Sequence, residues 1–133
     1  MKSLKIFFFF ALITNVFLAC KKDKPDVVLS KAEVAGIYEG KFGTGANNPS
    51  SFYSFNLKED GTMVELGNTG AVKGTGTWTL KGNTVTATHK YTFPANAFFI
   101  STGTYEAGER KITGTWGYGS SDNDGGKWYM TKK

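Results

Sequence analysis

The chain is poor in the residues that carry most enzymatic and metal chemistry. Its 133 residues include one cysteine, Cys20, and one histidine, His89. A single cysteine excludes an internal disulfide and any zinc site built from several thiolates. There are only three prolines, so no proline-rich spacer is present. The first apolar run, from Ile6, is broken by Thr14 and Asn15 and falls short of the roughly 20 apolar residues a membrane-spanning helix needs. Helix-period stretches are scarce, which leaves little material for an α or α/β fold. The formal charge is +5, but the lysines and arginines do not gather on one predicted element. A nucleic-acid surface is therefore not expected.

The lone cysteine lies in the stretch Leu18-Ala19-Cys20-Lys21-Lys22-Asp23. Lys2 and Lys5, the short apolar run and the small Ala19 together have the pattern of a secretory signal peptide. Leu18-Ala19-Cys20 resembles the lipobox of bacterial lipoproteins. That resemblance implies cleavage before Cys20, a diacylglycerol on its thiol and further acylation, with palmitate-type chains as the membrane anchor. Several acyl chains hold a protein to a bilayer far better than one. The expected organisation is a lipoprotein signal peptide at 1–19, a lipidated tether at 20–28 and a folded domain at 29–133. Pro25 and the mixed charges around it suit an extended tether.

Within the domain, apolar and polar residues alternate with period two. Gly36 to Phe42 places Tyr38 and Phe42 on one face. Phe52 to Leu57 groups Tyr53, Phe55 and Leu57. Thr62 to Leu66 follows a turn at Lys58-Glu59-Asp60-Gly61. Lys73 to Leu80 groups Gly74, Gly76, Trp78 and Leu80. Thr84 to Phe93 groups Val85, Ala87, His89, Tyr91 and Phe93. Ala97 to Tyr105 and Lys111 to Tyr118 follow, the latter grouping Ile112, Gly114, Trp116 and Tyr118. Trp128 and Met130 share a face of the last strand. Ser30 and Glu33 have the spacing of a capping box at the start of a helix of one or two turns. The expected fold is all-β: an antiparallel up-and-down barrel of about eight strands with a short N-terminal helix. Glycines relieve crowding in tightly curved strands and large rings fill the interior. A two-sheet β-sandwich stays open, because periodicity does not see closure.

Gly74-Thr75-Gly76-Thr77-Trp78 is echoed by Ile112-Thr113-Gly114-Thr115-Trp116. Together with Gly36-Ile37-Tyr38, Lys81-Gly82-Asn83-Thr84-Val85 and Lys127-Trp128-Tyr129-Met130, these segments resemble the small lipocalin-like lipoproteins of Bacteroidetes-type bacteria. The resemblance implies an envelope lipoprotein, with the outer membrane as its location. It also implies a barrel whose interior takes a small, largely apolar ligand.

Candidate ligand-binding residues are Tyr38, Tyr53, Trp78, His89, Tyr91, Trp116 and Trp128, an aromatic set with few polar groups, as small-molecule pockets generally have. The alternative function is a filled barrel that binds a protein or glycan at the envelope. Phe93, Pro94, Phe98 and Ile100 are its candidate patch. Thr44 to Ser50 is either a lid or a plain connection. No catalytic activity, metal or cofactor is expected. His89 has no carboxylate obviously placed to tune it, and no Gly-x-Ser-x-Gly nucleophile turn, phosphate loop or zinc spacing is present. Asp122-Asn123-Asp124 lacks the alternate spacing of a calcium loop.

Overall fold

The computed structural model describes residues 28–93 and 97–133. The expected signal peptide at 1–19, Cys20, the expected tether except Val28, and Pro94 lie outside the described residues. Eight antiparallel strands close into one barrel in chain order. They are β1 (Gly36–Phe42), β2 (Ser51–Leu57), β3 (Thr62–Leu66), β4 (Val72–Lys81), β5 (Thr84–Tyr91), β6 (Phe98–Glu106), β7 (Lys111–Tyr118) and β8 (Gly126–Lys132). Closure comes from β1 pairing with β8, Tyr38 opposite Lys132 through Phe42 opposite Trp128. The barrel, rather than the sandwich, is therefore the architecture.

Alternation sets which side chains face inward. Tyr38, Tyr53, Phe55, Leu57, Met63, Trp78, Val85, Ala87, Ile112, Trp128 and Met130 are all buried. The repeated Gly-Thr-Trp units have a common geometry. A Cβ on Gly76 would lie 1.9 Å from the Thr88 carbonyl oxygen, and one on Gly114 1.9 Å from that of Thr102. The neighbouring strand thus runs where a side chain would begin, and only glycine permits the approach. Two residues on, Trp78 and Trp116 fill the interior, each with its indole N–H bonded to a backbone carbonyl, of Lys58 at 2.7 Å and of Gly43 at 2.9 Å. The intervening threonine faces outward. A buried indole needs such a partner for its one donor.

The short helix α1 (Lys31–Val34) has the capping box its sequence announces. Ser30 Oγ accepts from the Glu33 amide at 3.3 Å, and Glu33 Oε2 accepts from the Ser30 amide at 2.7 Å. Val34 is fully buried, and its carbonyl accepts the Tyr38 hydroxyl. Lys31 Nζ donates to the Trp78 carbonyl and lies 5.2 Å from the indole centroid. Lys132 Nζ donates to the Glu33 carbonyl at 3.0 Å. These contacts plug one end of the barrel with α1, so the chain enters from residue 28 at the end where β1 begins and β8 finishes.

One strand boundary differs from the alternation pattern. β5 stops at Tyr91, and Phe93 is 87% exposed instead of continuing the inner face. Pro94 follows in the sequence, and proline has no amide hydrogen to extend a ladder. On β6, Phe99 packs against the core. Its outward neighbours Phe98 and Ile100 are half-buried rather than exposed.

Candidate functional site: a buried glutamate–histidine pair beneath an aromatic mouth

At the end opposite α1, inward side chains of five strands surround a small half-open cavity. Its lining is Phe42 of β1, Tyr53 of β2, His89 and Tyr91 of β5, Phe99 of β6 and Trp116 of β7. Its volume, counted as space for the centre of a water molecule, is about 30 Å³. That exceeds the ~10–15 Å³ needed for one water and falls far short of a lumen-filling ligand. Below it the barrel is packed. Tyr53 and Trp128 meet edge to face at 5.9 Å, and Phe55 lies 5.4 Å from the His89 ring.

Of the seven candidate residues, Tyr53, His89, Tyr91 and Trp116 line this cavity. Tyr38 and Trp78 lie instead against α1, and Trp128 is spent in the core, its indole N–H donating to the Thr115 carbonyl at 2.7 Å. Phe42 and Phe99 complete the wall. Phe99 stacks on His89 at 5.6 Å and meets Tyr91 at 4.6 Å, while Phe42 meets Tyr53 at 5.2 Å and Trp116 at 5.8 Å. The connection from Thr44 to Ser50 is tied down at this end. Gly43 N donates to the Lys127 carbonyl and Gly45 N to that of Gly125. These bonds seat its start against the beginning of β8.

The expectation that no carboxylate serves His89 is overturned. Glu65 on β3 faces inward with 0% exposure, and His89 is 1% exposed. His89 Nε2 lies 2.8 Å from Glu65 Oε2. The contact is a close approach of charge and ring nitrogen rather than a linear hydrogen bond, since Oε2 accepts none of good geometry. The other oxygen, Oε1, accepts from the Tyr91 hydroxyl at 3.0 Å and from Lys73 Nζ at 3.1 Å. A register shift between Glu65 and Leu66, opposite Val72 to Gly74, accompanies the reach of Lys73 to this carboxylate. Bulges of this kind re-aim side chains at barrel rims.

His89 Nδ1 is buried without a hydrogen-bond partner among the described residues. Tyr53 is also fully enclosed, its hydroxyl 2.8 Å from Ser101 Oγ. Burial pushes the Tyr53 phenol well above its ordinary range, with the Glu65 charge acting in the same direction. Tyr91 is raised by burial first and then by Glu65. Both phenols are therefore neutral at physiological pH.

A carboxylate beside one imidazole nitrogen biases the ring proton to that side and leaves the other nitrogen as an acceptor. The arrangement can therefore orient a histidine at the base of an aromatic opening. Sequence reading missed Glu65 because the charged residue sits between Val64 and Leu66, and an apolar alternative for the inner face was available. Its parity with buried Met63 was the available signal. No family model, curated protein or solved structure matches the chain.

Proposed function

We propose that the chain is a lipid-anchored envelope binding module of lipocalin-like architecture that holds one end of a small, largely apolar ligand in the mouth of its barrel. The observation that carries this reading is the half-open cavity ringed by five aromatic side chains and His89. Apolar walls with a few placed polar groups are what small-molecule sites share. The filled interior restricts occupancy to the tip of a ligand. Val72 at 56% exposure, Tyr118 at 53% and Phe93 stand at the same end of the barrel and offer apolar surface to the rest.

The anchor belongs to the same reading. A tether over residues 20–28 reaches at most about 30 Å, and it joins the barrel at the α1 end. Acyl chains on Cys20 would then leave the mouth facing away from the bilayer, in the outer membrane of a bacterial envelope. In this reading the chain binds and does not catalyse. Titrating small apolar molecules while following indole emission tests the site, because Trp116 lies in the wall. Saturable change is expected; a flat response across alkanols, alkylphenols and fatty acids would refute it.

The filled interior favours a second reading, in which the barrel presents its rim to an envelope protein or glycan. Substituting Phe93→Ser and Tyr118→Ser separates the two. The first reading requires weaker small-molecule binding by this variant, and the second requires loss of partner capture.

A further inference from the structure

Glu65 and His89 stand as a polar pair inside a mostly aromatic and aliphatic interior. Both are buried to within 1% of complete, where a charged or polar group carries a desolvation cost. Glu65 has three partners, Lys73, Tyr91 and His89. His89 has only Glu65, at Nε2, and its Nδ1 has no protein partner among the described residues. This unpartnered nitrogen belongs to a ring that lines the cavity. The other groups facing the pair are Lys73 from β4, Tyr91 from β5, and Tyr53 from β2 with its Ser101 partner from β6. Tyr91 and Tyr53 already use their hydroxyls on Glu65 and Ser101.

We infer that His89 Nδ1 is the polar anchor of the mouth and selects ligands that present a hydrogen-bond donor, a hydroxyl or amine, at the end of an apolar chain or ring. The inference rests on the reading of the mouth as a binding site and adds the chemistry it selects. At 2.8 Å from a carboxylate oxygen, Nε2 is the nitrogen that carries the proton, because two lone pairs would repel there; in the neutral imidazole Nδ1 then offers a lone pair. A terminal hydroxyl is about the size of a water and suits the 30 Å³ cavity, whereas a carboxylate would bring a second negative charge towards Glu65. An ether of the same size would leave Nδ1 buried and unpaired, and buried unpaired groups are what make such sites discriminate.

The test compares isomers. Calorimetric titration of the full chain with 1-hexanol and with 1-methoxypentane compares two molecules of identical composition that differ in the donor. Hexanol should bind about 5-fold more tightly, in line with the net worth of one hydrogen bond, and hexanoate more weakly than either. In the Glu65→Met/His89→Leu double variant the preference for hexanol should vanish while the ether still binds. Should that variant not fold, the imidazole nitrogen NMR signals of the native protein decide: Nδ1 should shift with hexanol and not with the ether. Equal binding of the two isomers by the native protein, or tighter binding of hexanoate, would overturn the inference and leave the mouth as a binding site. Failure of all three to bind would overturn the mouth reading itself.

Discussion

Replacing Glu65 and His89 singly and together should give strongly non-additive stabilities. Glu65→Met removes the acceptor of the Tyr91 hydroxyl, the Lys73 ion pair and the neighbour of Nε2. The Lys73 side chain is 40% exposed and turns to water, so its pair adds little. The main loss is the carboxylate contact of the buried imidazole N–H, about 2 kcal/mol. His89→Leu takes the N–H neighbour from the buried Oε2 while Lys73 and Tyr91 stay on Oε1, a loss of about 2 kcal/mol. With both replaced by apolar side chains of similar bulk, neither desolvation cost remains. Such exchanges leave stability unchanged or improve it. The double variant should therefore unfold within about 1 kcal/mol of the parent or above it, rather than near the summed loss of about 4. Urea unfolding followed by indole emission reads this directly. At a slope of about 2 kcal/mol/M, the His89→Leu midpoint falls by about 1 M and the double variant regains nearly all of it. A double variant as weak as the two singles combined would show that the pair stabilises the barrel, and the argument that it is retained for the mouth would fail.

Three further outcomes are expected. Tyr38, Tyr53 and Tyr91 are held neutral by burial, with phenol pKa values raised above the ordinary 10.0. The unfolded chain ionises these phenols near 10, so their contribution to stability is complete below that pH and is lost as pH climbs above it. Phenolate absorbance from the three should appear together with unfolding, and their ionisation in a barrel that still shows native circular dichroism would contradict this. Gly76→Ala should cost about 2 kcal/mol or more, since its Cβ would meet the Thr88 carbonyl oxygen at 1.9 Å, whereas Gly108→Ala meets nothing within 4 Å and should be neutral or stabilising. Thermal melts that rank the two the other way would reject the close-approach argument. Cys20→Ser should move the protein from the membrane fraction to the soluble one, and an unchanged distribution would reject the anchor.

Much of the barrel was legible in the alternation. Trp78, Val85, Ala87, His89, Ile112, Trp128 and Met130 face inward as their parity demands, because a strand has two faces and only one is wet. The helix was legible from Ser30 and Glu33, whose capping geometry is local. The site was less so. Tyr53, His89, Tyr91 and Trp116 were identifiable as inward rings, but which end of the barrel each occupies depends on strand direction and on the register that closes β1 against β8. Glu65 was hidden because its compensation comes from elsewhere in the chain: Lys73 from β4 and His89 and Tyr91 from β5. The extent of filling was not legible at all, since residual volume depends on how the rings interlock.

The most direct test of the mouth as a binding site is to map 1-hexanol onto the barrel by amide and indole NMR shifts. The account predicts changes confined to Phe42, Tyr53, His89, Tyr91, Phe99, the Trp116 indole N–H and Tyr118, with Val34, Trp78 and Tyr105 at the α1 end silent. Shifts concentrated at the α1 end or spread over the outer threonine faces, with the mouth unmoved, would contradict it.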